Sequence, residues 1–138
     1  MRISIIGCGR IGFTLESDPL RYKPCTHVGA IQTLITKGLP IQWDHLCDLD
    51  VEKTRRLETW INQAAAKKIR PKLKIRSTQH YHDVIFSRPD ILVIAADTNT
   101  HYEITKAAME NNVSRIVVEK PVTLSYRQAS TLYKLAQK

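Results

Sequence analysis

The chain reads as an α/β protein: a Rossmann-like, doubly wound parallel sheet of order 3-2-1-4-5, with helices on both faces in three layers. Three observations predict this. Five short apolar runs alternate with helical patterns, as in parallel sheets built from right-handed β-α-β crossovers. The first run leads straight into Gly7, Gly9 and Gly12, the spacing G-x-G-x-x-G. A carboxylate, Asp48, stands at the end of the second run.

Arg2 to Ile6 is a continuous apolar run of the kind expected in a buried parallel strand. Phe13 to Cys25, with Pro19, Pro24 and mixed charges, reads as a loop inserted between the glycines and their helix. Helical periodicity starts with His27, Val28, Ile31, Leu34 and Ile35; Thr26 is the candidate N-cap and Gly38 the C-terminal stop. Ile41 to Cys47 is the second strand. From Val51 to about Lys68 a helix places Leu57, Trp60, Ile61, Ala64 and Ala65 on one face, and Pro71 ends it.

Lys72 to Arg76 alternates charged and apolar residues, predicting a half-exposed third strand. Gln79 to Arg88 is a short helix stopped by Pro89, and Asp90 to Ala96 is the most apolar strand. Thr100 and Glu103 have capping-box spacing, so a helix is expected from there, with Ile104, Ala107 and Ala108 inward. Arg115 to Glu119 is the fifth strand. Ser125 and Gln128 open the last helix, with Ala129, Leu132, Leu135 and Ala136 inward.

At 138 residues the chain is expected to form one domain, residues 1–138, with no internal repeat or linker. No apolar run approaches the ~20 residues of a membrane span, and no secretory signal is recognisable. Cys8, Cys25 and Cys47 are odd in number and widely spaced, which fits reduced thiols and a cytoplasmic location. His80 and His82 would not share a helical face, so no metal pair is expected there.

The net charge of +8 is the unusual feature of the composition. Lys67, Lys68, Arg70, Lys72, Lys74 and Arg76 fall within ten residues. A nucleic-acid patch is one reading of this run, weakened because no aromatic residue interleaves it to stack bases. In the order 3-2-1-4-5 the third strand is an edge, where outward cations block pairing with other chains. The cations are therefore assigned to edge protection, and nucleic acid is not expected as a partner.

Ligands of such sheets bind outside the carboxyl ends of the strands. There the glycines would admit a sharp turn, close approach to a pyrophosphate, and tight packing of helix on strand. Cys8 suits a small filler of that turn better than a nucleophile, because no histidine adjoins it. Asp48 can accept both ribose hydroxyls of an adenosine, or cap the following helix; the ribose role is preferred for Asp48 and the cap for Asp50. Its distance from Gly12, thirty-six residues, exceeds the usual twenty or so, and the inserted loop accounts for most of the excess. A carboxylate here favours NAD over NADP, although Lys53, Arg55 and Arg56 leave NADP open.

Gly-Cys-Gly-Arg-Ile-Gly, Cys-Asp-Leu-Asp, Asp-Ile-Leu-Val-Ile-Ala-Ala with Asn99 and His101, and Glu119-Lys120-Pro121 occur in this order. The pattern resembles the nucleotide-binding domain of the glucose–fructose oxidoreductase and inositol dehydrogenase (Gfo/Idh/MocA) family over nearly the whole chain. Val-Val-Glu-Lys-Pro is its most specific element. The resemblance implies a nicotinamide cofactor and oxidation or reduction of a sugar, cyclitol or related polyol.

By position, Gly7, Cys8, Gly9, Arg10, Ile11 and Gly12 would hold the pyrophosphate, and Asp48 the adenosine ribose. Ala96, Thr98, Asn99 and His101 would line the nicotinamide half; for His101, packing in the first helical turn is an equal alternative. Glu119 and Lys120 would flank the nicotinamide ribose. Lys120 is implied as the catalytic lysine, hydrogen-bonding the substrate hydroxyl and stabilising the alkoxide as hydride leaves. Two departures stand out. Asp97 replaces the family's usual proline, and the family's C-terminal substrate domain has no counterpart in this sequence. The strand that would normally follow Lys138 as the sixth of the sheet is also expected to be missing, which would leave the fifth strand a bare edge, to be covered by a partner subunit or a second copy. A non-catalytic NAD(H)-binding module is the alternative function.

Overall fold

The structure, a computed structural model, describes residues 1–66 and 74–137. Five strands, β1 (Arg2–Ile6), β2 (Gln42–Cys47), β3 (Arg76–Thr78), β4 (Ile91–Ile94) and β5 (Ile116–Val118), form one sheet in the order β3-β2-β1-β4-β5. Every neighbouring pair is parallel. This is the predicted architecture. The helices are α1 (His27–Thr36), α2 (Val51–Ala66), α3 (Tyr81–Phe86), α4 (Thr98–Glu110) and α5 (Tyr126–Ala136). None of the described helices is long and apolar enough to cross a membrane.

The two faces of the sheet bury separate clusters. On one, Ile3, Ile5 and Leu46 pack with Val28 and Ile31 of α1 and with Leu57 and Ile61 of α2. On the other, Ile6, Leu92 and Ile94 pack with Val84 and Ile85 of α3 and with Ile104 and Ala108 of α4. Full burial of such a side chain stabilises by about 1.5–3 kcal/mol, and β1 and β4, apolar on both faces, contribute to both clusters.

Helix ends follow their local chemistry. Thr26 caps α1 by accepting the amide of Gly29, and Ser125 caps α5 by accepting that of Gln128. Gly38, at φ +94°, ends α1; its amide reaches the Ile35 carbonyl while that of Leu39 reaches Leu34. This is a Schellman arrangement, which requires a left-handed residue at Gly38.

Some expectations change. Helix α4 begins at Thr98 with Asp97 at its N-cap, three residues before the N-cap expected at Thr100. The Thr100 hydroxyl turns back onto the Asp97 carbonyl, 2.7 Å away, instead of capping a helix with Glu103. In α5 only Leu132 is buried; Ala129 and Ala136 are exposed. The third strand is Arg76–Thr78, with Arg76 in register with His45; Lys74 and Ile75 of the expected span are not part of it, and Lys72 and Leu73 lie outside the described residues. Arg76 is also not a free surface cation: its guanidinium meets the buried Asp44 at 2.6 Å. Lys67, Lys68, Arg70 and Lys72 lie outside the described residues.

Candidate functional site

The site is built where β1 stops. Gly7 donates to the Cys47 carbonyl at 2.8 Å, holding the turn to β2, and adopts φ +95°. A Cβ on Gly7 would collide with the backbone of Ala95 and Ala96, so the end of β4 passes directly behind it. A Cβ on Gly12 would strike the Gly7 carbonyl, which seats the first helical turn on the strand end. Gly9 differs: nothing lies within 4 Å of the position its Cβ would take.

The chain then starts to coil at once. The amide of Phe13 reaches the Gly9 carbonyl at 2.8 Å, and a single 3₁₀ turn, Thr14–Ser17, follows. The segment up to Cys25 leaves the axis. On its return, the amides of His27 and Val28 bond the carbonyls of Ile11 and Gly12, at 3.2 and 3.0 Å. In an uninterrupted α-helix those carbonyls would take the amides four residues on, at positions 15 and 16. The glycine turn and α1 are thus one helix, interrupted by twelve residues. Glu16 fastens the interruption, its carboxylate accepting the amides of Cys25 and Thr26 and the Thr26 hydroxyl, at 2.7 to 3.1 Å.

Among the described residues, the amides of Gly9, Arg10, Ile11 and Gly12 have no hydrogen-bond acceptor. Four successive unpaired donors at a helix N-terminus, beside the open space at Gly9, fit a pyrophosphate.

Asp48 closes the turn from the β2 side. Its carboxylate accepts the amide of Cys8 through one oxygen and that of Asp50 through the other, both at 2.9 Å, and Lys53 Nζ stands 3.6 Å away. A carboxylate offers about four acceptor positions, so acceptor capacity remains for ribose hydroxyls. Asp50 takes the capping role, accepting the Glu52 amide at 3.0 Å. Cys8 is buried, its thiol 3.6 Å from the Cys47 carbonyl. Burial first, then the charge of Asp48, pushes that thiol far up, and Cys47 is raised to about 12 for the same two reasons. Neither behaves as a nucleophile.

On the other side of β1, the His101 ring is buried between two carbonyls: Nε2 lies 2.9 Å from that of Ala96 and Nδ1 2.9 Å from that of Pro121. It ties the end of β4 to the Lys120-Pro121 bond, which is cis. Glu119 follows β5, its amide on the Ile94 carbonyl. One of its carboxylate oxygens accepts the Lys120 amide at 3.2 Å, and the other lies 2.8 Å from His27 Nε2. Lys120 is exposed, and its ammonium has no partner among the described residues. Thr98 and Asn99 open the first turn of α4; among the described residues their amides have no acceptor, that of Thr100 reaches the Asp97 carbonyl at 2.9 Å, and the Asp97 side chain gives no cap.

Contacts therefore run unbroken from Asp48 through Cys8 and Gly7 to Ala96, His101, Pro121 and Glu119, then through His27 to Ile11 and Gly12. The side chains of Arg10, Thr98 and Asn99 make no hydrogen bond with the others among the described residues. His27 is the member that sequence reasoning missed, because its partner is ninety-two residues away. An open groove of about 460 Å³ lies aside from this ring, between the 3₁₀ turn and α2, lined by residues including Phe13, Arg55, Arg56 and Trp60. It holds none of the predicted site residues.

Residues 1–138 match, over their whole length, an oxidoreductase family with an NAD-binding Rossmann fold, Gfo/Idh/MocA. The chain belongs to the Gfo/Idh/MocA oxidoreductase family. No curated protein matches it by sequence. Solved structures share its fold at low identity. The WlbA dehydrogenase from Bordetella pertussis, in complex with NADH and UDP-GlcNAcA, is 20% identical with a TM-score of 0.63, covering 99% of this chain and 32% of that one. The 3-ketoreductase KijD10 from Actinomadura kijaniata, in complex with NADP and TDP-benzene, is 15% identical with a TM-score of 0.68, covering 99% and 34%. The transcriptional regulator Gal80p from Kluyveromyces lactis is 18% identical with a TM-score of 0.62, covering 99% and 30%. This Gfo/Idh/MocA chain spans about a third of the length of each.

Proposed function

We propose that this domain binds NAD, with NADP as the weaker alternative, and serves hydride transfer to or from a sugar, cyclitol or related polyol. The observation that carries the reading is the row of four unpaired amides at Gly9–Gly12, flanked by the tethered Asp48 carboxylate on one side and the Glu119-Lys120 turn on the other. The amides of Gly9, Arg10, Ile11 and Gly12 hold the pyrophosphate, assisted by the helix dipole. Asp48 takes the adenosine ribose and repels a 2′-phosphate. Ala96, Thr98 and Asn99 line the nicotinamide half, with His101 shaping it from behind.

The nicotinamide ring, when bound, supplies the hydride acceptor or donor. Lys120 is the catalytic residue. Its ammonium hydrogen-bonds the substrate oxygen and stabilises negative charge there while the C–H bond breaks and the hydroxyl proton departs. A further domain or a second chain completes the substrate pocket and supplies the proton acceptor, and residues 1–138 act as the cofactor half in the cytoplasm. An alternative, a domain that binds NAD(H) without catalysis, is favoured by the likeness to a transcriptional regulator on the same fold.

Titration with NADH and NADPH, followed by nicotinamide fluorescence and the thermal melt, tests the binding; response to neither removes both readings. Lys120→Ala should then spare NADH binding and abolish hydride exchange with polyols. If wild type binds NADH and exchanges no hydride even with its completing partner, the non-catalytic reading stands.

A further inference from the structure

We infer that His27 is a positioning residue for the Glu119-Lys120 turn, so that the helix behind the phosphate-binding turn also sets the geometry at the opposite end of the cleft. The inference rests on the proposed cofactor site and adds a residue to it. His27 Nε2 and Glu119 Oε1 are 2.8 Å apart, and both side chains are about four-fifths buried. The other Glu119 oxygen accepts the Lys120 amide. The Glu119 carboxylate is therefore held at both oxygens, by an imidazole from α1 and by the backbone of the residue assigned to catalysis.

His27 is itself well fixed. Its amide bonds the Ile11 carbonyl, the next amide bonds Gly12, and Thr26 caps the turn through Gly29. A rigid path thus runs from the glycine turn through the first turn of α1 to the Glu119 carboxylate and the Lys120 amide. Without His27, Glu119 keeps only the Lys120 amide among these partners, and its three side-chain torsions regain freedom at the edge of the cleft. The interruption of the helix explains why the residue is inconspicuous in the sequence: it reaches the site twelve positions late, at the point where α1 resumes.

The experiment uses the full 138-residue chain, ¹⁵N-labelled, in wild-type, H27A, H27Q, H27N and E119Q forms. The readouts are the Lys120 amide resonance without cofactor and the Kd for NADH. Glutamine places a donor where Nε2 stands, whereas asparagine reaches only as far as Nδ1. Expected is a displaced Lys120 amide in H27A and H27N, with little change in H27Q. NADH binding should weaken about fivefold in H27A and recover in H27Q. H27A combined with E119Q should bind no worse than E119Q alone.

A wild-type Lys120 amide in H27A overturns the inference, as does H27Q behaving like H27A. Should H27A fail to fold, the contrast between H27Q and H27N decides, and equal behaviour overturns it. If the wild-type chain binds neither NADH nor NADPH, the cofactor reading fails, while the Lys120 amide still decides whether His27 positions the turn.

Discussion

The carboxylate of Asp48 accepts the backbone amide of Cys8 at 2.9 Å, across forty residues of sequence. The acid at the end of β2 is thereby locked to the turn assigned to the pyrophosphate through one oxygen, while the other faces Asp50 and Lys53 at the start of α2. Replacement by alanine should weaken NADH binding by about tenfold or more, since a hydrogen bond to a charged group contributes about 1.5–3 kcal/mol. Asp48→Asn keeps an acceptor without the charge and should narrow the preference for NADH over NADPH. Paired titrations check both, and an unchanged preference in Asp48→Asn would remove the ribose assignment.

The three glycines separate stability from binding. Gly7→Ala forces a side chain into a φ of +95° and against the backbone of Ala95 and Ala96, and Gly12→Ala drives one into the Gly7 carbonyl. Each should destabilise by at least about 1–3 kcal/mol, visible as a large fall in melting temperature. Gly9→Ala meets no atom within 4 Å. It should leave the melt within about 0.5 kcal/mol of wild type and still weaken NADH binding, because the methyl enters the space kept for the pyrophosphate. Normal NADH affinity in a folded Gly9→Ala chain would argue against that placement.

The sheet order, the caps at Thr26 and Ser125 and the stop at Gly38 were legible because each rests on local chemistry or on strict alternation. The start of α4 was not. Thr100 and Glu103 have the spacing of a capping box, but the Asp97 carbonyl takes the Thr100 hydroxyl, a backbone competition that spacing does not record. The place of Arg76 was hidden for a similar reason: it opens β3 with its guanidinium on Asp44 of β2, a long-range pairing. In the proposed site, Asp48 and Glu119 stand directly after strands, where the rule for parallel sheets directs attention. His27 was not legible, because no sequence spacing links it to Glu119.

Acid should weaken the fold in two stages. His45 is buried beside Asp44, its Nδ1 3.4 Å from the carboxylate but without a well-aligned hydrogen bond. Burial holds it below 6.5, against the pull of Asp44. Burial would raise Asp44, but the Arg76 hydrogen bond and the charges of His45, Arg76 and Arg2 outweigh it and hold the carboxyl below 3.8. Both groups bind protons more readily in the unfolded chain, so each contributes stability that is present at neutral pH and lost on acidification. His45 acts as pH falls through and below 6.5, Asp44 below 3.8. His45→Gln should flatten the fall in melting temperature between pH 7 and 5 by about a few degrees and leave the fall below pH 4 in place. An identical pH 7 to 5 slope in the variant would clear His45 of the effect.

The interruption between the glycine turn and α1 should be removable. Deleting residues 15–26 joins Thr14 to His27 and lets the amides of His27 and Val28 reach Ile11 and Gly12 by ordinary helical bonding. The cap of Thr26 is lost, but the continuous helix no longer needs one, and the entropy of closing the loop is recovered. The shortened chain should fold and bind NADH within about threefold of the full chain. A second substitution makes the argument sharper. In the full chain, a Cβ on Gly29 would enter the Glu16 carboxylate, which is fastened to Cys25 and Thr26. Gly29→Ala should therefore destabilise the full chain. With Glu16 deleted, the same change meets no carboxylate and should stabilise by about 0.5–1 kcal/mol, the ordinary gain of alanine over glycine inside a helix. Paired thermal melts of the four chains read the reversal directly, and the same sign in both backgrounds would show that Glu16 does not set the requirement for glycine.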